Sequence, residues 1–258
     1  MEKIVNKFQE TASVIEQTEI APGIFSMWLK TKNIAEFAKP GQFIAIYSKD
    51  ASRLLPRPIS ICEIDAQRSS LRIVYRIAGE GTREFSTYVE GTTIQIMGPL
   101  GNGFSDQKKK ALLIGGGIGI PPMLELAKQL NVEKEMMLGY RSELFLTEEF
   151  ERYGVVYVAT EDGSSGTKGT VIDGIVANQI KPEVIYACGP TPMLRAIKQY
   201  AIEHNIECYV SLEEKMACGI GACLGCVCKS KEVDIHTNIQ NKRICKEGPI
   251  FNALEVEI

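Results

Sequence analysis

ALLIGGGIGIPPM, residues 111–123, reads as a strand that turns through glycine into a helix. Residues 111–114 form a short, wholly apolar run, as expected of a strand buried on both faces. Gly115, Gly116, Gly117 and Gly119, with Ile118 among them, let the backbone approach a diphosphate closely. The helix opened at Pro121, expected over 123–130, turns its positive dipole end to the same place. Downstream, 136–140, Val155–Thr160 and 184–187 read as further strands, with helices between and after them. Strand–helix alternation of this kind builds a parallel sheet covered on both faces.

Upstream the rhythm differs. Short β-type segments at 13–17, Ile24–Lys30, 43–47, 71–77 and 93–97 are broken by Gly, Pro and polar residues, which predicts an antiparallel barrel. One helix is expected after Thr82, through Arg83 to Val89. The last zone is rich in Gly and Cys and poor in core formers, so it needs an inorganic staple. The expected fold is therefore multidomain α+β. It has an antiparallel β-barrel at 1–101, an α/β parallel-sheet nucleotide domain at 102–212 and a small cluster domain at 213–258.

The 258 residues are 45% hydrophobic and 24% charged, which suits a globular core and argues against disorder. With 29 Lys+Arg against 32 Asp+Glu, no basic footprint for nucleic acid appears, and 108–110 reads as a solvated basic run. Polar residues interrupt every apolar stretch of the N-terminus, and no window reaches a membrane-spanning length. A soluble, cytoplasmic protein with no membrane partner is expected. His204 and His236, the two histidines, read as surface residues, so no acid–base machinery for a further substrate is apparent.

Eight cysteines in a leaderless chain point to a metal rather than to disulfides. Four residues separate Cys218 from Cys223, two separate Cys223 from Cys226, and Cys245 follows eighteen beyond. This is the C-x4-C-x2-C…C spacing of a plant-type [2Fe–2S] site. Structural zinc, the alternative, usually takes two close pairs of ligands instead of three ligands and a distant fourth. Gly219, Gly221, Ala222 and Gly225 are small where backbone amides must approach sulfur. Cys228 is a spare thiol, read as a small buried residue or as an alternative ligand. The stretch 229–242 reads as an exposed loop or hairpin between ligands.

RPIS at 57–60 places an arginine that can hold a pyrophosphate three residues before a serine that can reach a flavin ring nitrogen. Ile73-Val74-Tyr75 follows on a strand, then Gly81-Thr82 at a helix start suited to phosphate. Tyr75 has two readings, a ring against the cofactor or plain core. With YRIAGEGT at 75–82, GPLGNGF at 98–104, GGGIGIPPM and CGP at 188–190, the chain resembles the ferredoxin–NADP reductase superfamily along nearly its whole length. It departs at Ile59, where that superfamily usually carries tyrosine. The C-terminal EEKMACGIGACLGCVCK and ICKEGPIFNALEV further resemble the electron-transfer subunits of NAD-dependent dihydroorotate dehydrogenases.

The resemblance implies the rest. It implies FAD held by Arg57, Pro58, Ile59, Ser60, Ile73, Val74, Tyr75, Gly81 and Thr82, and NAD at the glycine turn and at Cys188, Gly189 and Pro190. Cys188 is then either a residue beside the nicotinamide or a small core residue. Cluster ligands would be Cys218, Cys223, Cys226 and Cys245. The partner would be an FMN-containing catalytic subunit that oxidises dihydroorotate, in a heterotetramer of two of each chain, within pyrimidine biosynthesis. Subunits of sulfide dehydrogenases, sulfhydrogenases and bifurcating transhydrogenases share the layout and are the alternative. Arg141 after the second strand either meets a 2′-phosphate or stands in solvent, so NAD against NADP is open from the motif.

Overall fold

The computed structural model describes residues 6–233 and 238–258. His236 lies outside the described residues, as do residues 1–5. The first half forms β1 (Phe8–Ala21), β2 (Ile24–Lys30), α1 (Ile34–Phe37), β3 (Phe43–Ile46), β4 (Arg57–Asp65), β5 (Ser70–Arg76), α2 (Glu80–Phe85) and β6 (Thr93–Leu100). These strands close an antiparallel barrel in the order β1-β2-β5-β4-β3-β6. Met27, Leu29, Ile44, Ile61, Ile73 and Tyr75 fill its interior. β1 runs well beyond the expected 13–17 because its exposed face is polar, which hides a half-buried strand from an apolar count. The helix expected to reach Val89 stops at Phe85, where successive i→i+3 bonds to Glu84 and Phe85 carry the chain out as turns.

The second half adds β7 (Ala111–Gly116), a 3-10 turn (Gly117–Gly119), α3 (Pro121–Gln129), β8 (Lys134–Tyr140), α4 (Thr147–Phe150), β9 (Val155–Thr160), β10 (Thr167–Lys168) and α5 (Val171–Ala177). It continues with β11 (Val184–Cys188), α6 (Thr191–Glu203), β12 (Glu207–Ser211), β13 (Val227–Lys229), β14 (Asn241–Arg243) and β15 (Ile250–Asn252). The large sheet has the order β10-β9-β8-β7-β11-β12-β15. Its strands are parallel except β15, which joins antiparallel to β12. Side chains of β7 and β11 alternate between two apolar layers, one on each face, as the all-apolar runs require. β13 and β14 pair as the two ends of the expected hairpin. Among the described residues no helix is long and apolar enough to cross a membrane.

The barrel and the sheet are joined at a seam. β3 pairs with β4 only over 57–60, so the same edge of β4 beyond that point lacks a neighbouring strand. Gln42 O takes the amide of Ile61, and α3 takes the next exposed pair of groups. Glu125, itself 1% exposed, accepts from the Ile64 amide at 2.7 Å, and Lys128 Nζ donates to the Ile64 carbonyl at 3.1 Å. Gln129 holds the other Glu125 oxygen at 2.6 Å. From β5, Arg72 reaches Glu63 at 2.8 Å and grips Glu149 of α4 with both terminal guanidinium nitrogens. Helix α3 thus does for β4 what a neighbouring strand would do. Glu125→Ala leaves a buried amide without its acceptor and should cost about 1–3 kcal/mol, read as a lower midpoint in urea.

Candidate cofactor and nucleotide sites

The flavin-type residues meet where two barrel strands part. β4 pairs with β5 at Ile61 and again over 63–65, with an irregularity between, whereas 57–60 turn to β3. Beyond Ile73, β5 is paired only with β2. The barrel therefore opens a mouth between 57–60 and 74–76, with main-chain groups on both lips. Arg57, Pro58, Ile59 and Ser60 are all half-buried there. Gly81 abuts the arginine, since a Cβ on it would stand 2.5 Å from Arg57 Nε. Thr82 is engaged locally: its Oγ1 accepts from the amides of Ala78 at 2.9 Å and Gly79 at 3.2 Å, which shapes the loop entering α2. Tyr75 is core. Its ring is 1% exposed, stacks on Phe25 and meets Phe85 edge-on, and its hydroxyl donates to Gln17 at 2.8 Å. The Tyr75 ring is thus turned into the barrel, and Ile73, Val74 and Tyr75, all buried, present their backbone at the mouth. Gly81→Ala should displace Arg57 and lower flavin retention, read as the flavin-to-protein absorbance ratio after gel filtration.

A cleft of about 680 Å³ lies between the barrel and the carboxyl edge of the sheet. Ile24 and Arg76 line it from the barrel, and Gly116, Gly117, Pro190 and Met193 from the sheet edge. β7 and β11 are neighbours with Gly115 opposite Cys188, so the two glycine turns are packed against each other. A Cβ on Gly119 would stand 2.5 Å from the Cys188 carbonyl carbon and 2.6 Å from Gly189 Cα. Met193 and Pro190 close on Gly116 in the same way. Ile118 packs beside the apolar layer that contains Cys188, and Pro121 is buried as the first residue of α3. The Cys188 thiol is fully buried, and burial pushes its pKa well up, so it stands there as a neutral thiol beneath the turn. Arg141 stands on the cleft rim, highly exposed, 3.8 Å from Glu161, which follows β9 and also lines the cleft. Arg76, Met193 and Glu161 were not picked out by sequence reasoning. For Glu161 a signal existed, an acid immediately after a parallel strand.

The four spaced cysteines form two pairs. Cys218 and Cys223 sulfurs lie 3.3 Å apart, and Cys226 pairs with Cys245 by a side-chain hydrogen bond. Two pairs suit a two-iron cluster with two thiolates on each iron. Among the described residues no three His, Cys, Asp or Glu side chains gather closely enough to hold one ion. Backbone amides point at sulfur: Cys223 N to Cys218 at 3.3 Å, Cys245 N to Cys226 at 3.4 Å, and Gly221 N to Cys245 at 3.1 Å. Burial raises the Cys218 thiol, but the amides around it prevail and bring it down to about 7. The hydrogen bond from Cys245 brings Cys226 down to about 6, and the same bond, with burial, pushes Cys245 up. Metal binding would take these thiols as thiolates and release the protons they hold.

Gly219 and Gly221 have φ of +67° and +83°, which side chains rarely adopt. At Gly225 a Cβ would meet Cys223 Sγ at an ordinary 3.5 Å, so the need for glycine itself falls on 219 and 221. Cys226 and Cys245 are buried in the layer beneath the large sheet. Cys228 is half-buried on β13 and donates to the Lys242 carbonyl at 3.5 Å. Ile220, Leu224 and Val227 around the loop are exposed.

Comparison with known proteins agrees with this geometry. Residues 213–257 match the model of the iron-sulfur cluster binding domain of dihydroorotate dehydrogenase B. The "Dihydroorotate dehydrogenase B (NAD(+)), electron transfer subunit" of Fusobacterium nucleatum subsp. nucleatum is 43% identical, covering 96% of this chain and 98% of that protein. The protein of the same name from Listeria monocytogenes serovar 1/2a is 44% identical over 97% of this chain and 99% of its own length. Among solved structures, a chain of the NADH-dependent reduced ferredoxin-NADP oxidoreductase superposes with a TM-score of 0.86 at 29% identity, covering 95% of this chain and 89% of that one. The chain belongs to the family of electron transfer subunits of NAD(+)-dependent dihydroorotate dehydrogenase B.

Proposed function

We propose that this chain carries electrons from a catalytic partner subunit, which oxidises dihydroorotate, through a [2Fe–2S] cluster and FAD to NAD+. The observation that carries the reading is one cleft lined by Ile24 and Arg76 of the barrel together with the glycine turn, in a chain that also gathers four thiols in two pairs. When bound, the flavin and the cluster supply two-electron exchange with the nicotinamide and one-electron exchange with the partner. The chain's own residues do the placing. Arg57 and the backbone at 57–60, with that of Ile73, Val74, Tyr75, Gly81 and Thr82, would hold FAD, the guanidinium serving its diphosphate. Gly115–Gly119, Pro121, Gly189 and Pro190 would hold the NAD diphosphate and nicotinamide, with Cys188 as their buried support. Cys218, Cys223, Cys226 and Cys245 would ligate the cluster.

The division into an FAD part at 1–101, an NAD part at 102–212 and a cluster part at 213–258 follows from these assignments. In the same reading the partner contains FMN, and two copies of each chain assemble in the cytoplasm, where the thiols stay reduced. The exposed Ile220, Leu224 and Val227 surround the ligand loop and suit burial against that partner. Electrons must leave near the cluster, so the docking face belongs there. The test is to recover tagged protein anaerobically from its native extract and to add dihydroorotate and NAD+. NADH formation with a copurifying FMN protein supports the proposal. A brown preparation bleached by NADH, yet inert to dihydroorotate, would assign the same electron path to another oxidoreductase such as a sulfide dehydrogenase.

A further inference from the structure

Arg243 sits two residues before Cys245, at the end of β14, and is 8% exposed. Its side chain crosses from one ligand-bearing segment to the other. Nη1 donates to the Gly221 carbonyl at 3.0 Å, inside the loop between Cys218 and Cys223. Nε reaches Glu247 at 3.1 Å and Nη2 reaches it at 2.5 Å. Its backbone builds the turn around Cys245: the Arg243 amide donates to Glu247 at 2.7 Å, and its carbonyl accepts from the amides of Lys246 at 3.0 Å and Glu247 at 2.8 Å. Gly221 is therefore fixed on both sides. Its carbonyl is held by Arg243, and its amide donates to Cys245 Sγ at 3.1 Å.

We propose that Arg243 is a positioning residue that sets the reduction potential of the cluster, by fixing the Gly221 amide on the Cys245 sulfur and by its own buried charge. The proposal rests on the iron–sulfur reading of the four thiols. Reduction adds negative charge that spreads onto the sulfurs, so donors and cations nearby favour the reduced form and raise the potential. Removing Arg243 changes three things in one direction. A cation disappears, the peptide that aims the Gly221 amide loosens, and the Glu247 carboxylate loses the cation that pairs it. Each lowers the potential. Lysine keeps the charge but not the planar fork that reaches Gly221 and Glu247 together, so it restores only part.

The experiment is an anaerobic redox titration of the full-length protein, followed by EPR for the cluster and by absorbance for the flavin, with iron and FAD quantified. Arg243→Met and Arg243→Gln should shift the cluster midpoint to more negative potential and leave the flavin midpoint in place. Arg243→Lys should shift it less and alter the EPR line shape. Glu247→Gln removes the anion and should shift the midpoint the opposite way. An unchanged cluster midpoint in iron-replete Arg243→Met, or shifts of one sign in both Arg243→Met and Glu247→Gln, overturns the inference. If Arg243→Met loses iron, Arg243→Lys decides, and an unchanged midpoint and spectrum there overturn it equally. Zinc in place of iron in the unaltered protein would instead sink the iron–sulfur reading itself.

Discussion

Cys226→Ser is expected to yield a protein that still holds flavin and still passes electrons from NADH to a soluble dye, but holds little iron and gives only background reduction of NAD+ with the partner and dihydroorotate. The residue is 1% exposed, and the bond from Cys245 brings its thiol pKa down. Serine offers a hydroxyl that stays protonated at neutral pH and is a poor ligand for iron. Cys228 gives no ready substitute, because its sulfur is turned to the Lys242 carbonyl on the neighbouring strand. The flavin mouth lies in the barrel and shares no residue with the cluster loop, so its diaphorase activity should survive. Iron by colorimetric assay and the two activities, measured on one preparation, check this. Full iron content with unchanged partner-linked activity would remove Cys226 from the ligand set.

Gly119→Val is the second large effect, on the opposite end of the path. The obstacle is backbone, not a movable side chain: a Cβ at 119 would meet the Cys188 carbonyl and Gly189. Overpacking of this kind costs about 1–3 kcal/mol. Relief requires the two glycine turns to separate, and those turns form the floor of the nucleotide cleft. The expected result is a lower unfolding midpoint together with a large rise in the Kd for NADH, while the iron content stays normal. Gly117→Ala is the contrast, since nothing stands within 4 Å of a Cβ there and only its φ of +52° opposes a side chain. Its effect on NADH binding should be smaller. Equal NADH affinity in Gly119→Val and the unaltered protein would detach this turn from nucleotide binding.

Legibility in the sequence followed local chemistry. The 111–123 segment gave its strand, turn and helix nearly as found, because buried parallel strands are apolar throughout and the glycines have a geometric reason. Ligand spacing in the cysteine loop was legible because the pairing of Cys218 with Cys223 is local. The pairing of Cys226 with Cys245 joins residues far apart in the chain, and spacing alone could not show it. β10, β12 and β15 went unread for similar reasons. The first and last are two and three residues long, and β12 is a five-residue segment with a polar residue at each end. Tyr75 invited a cofactor role because an aromatic on a strand has no visible face until the barrel closes; closure turned its ring inward. The seam was invisible for a deeper reason. Glu125 and Lys128 read as an ordinary polar helix face, and only the short reach of β3 creates the exposed edge of β4 that they satisfy.

The central claim is that one chain holds both a two-electron and a one-electron carrier and connects them. The most direct measurement is an anaerobic titration of the isolated protein with NADH, with bound flavin and iron quantified and EPR recorded at each addition. The account predicts FAD and two irons per chain, bleaching of the flavin bands, and an EPR signal from the reduced cluster that grows as NADH is added. Zinc in place of iron, or a flavin that NADH reduces while the cluster stays oxidised and EPR-silent at a potential where it should accept electrons, would contradict it.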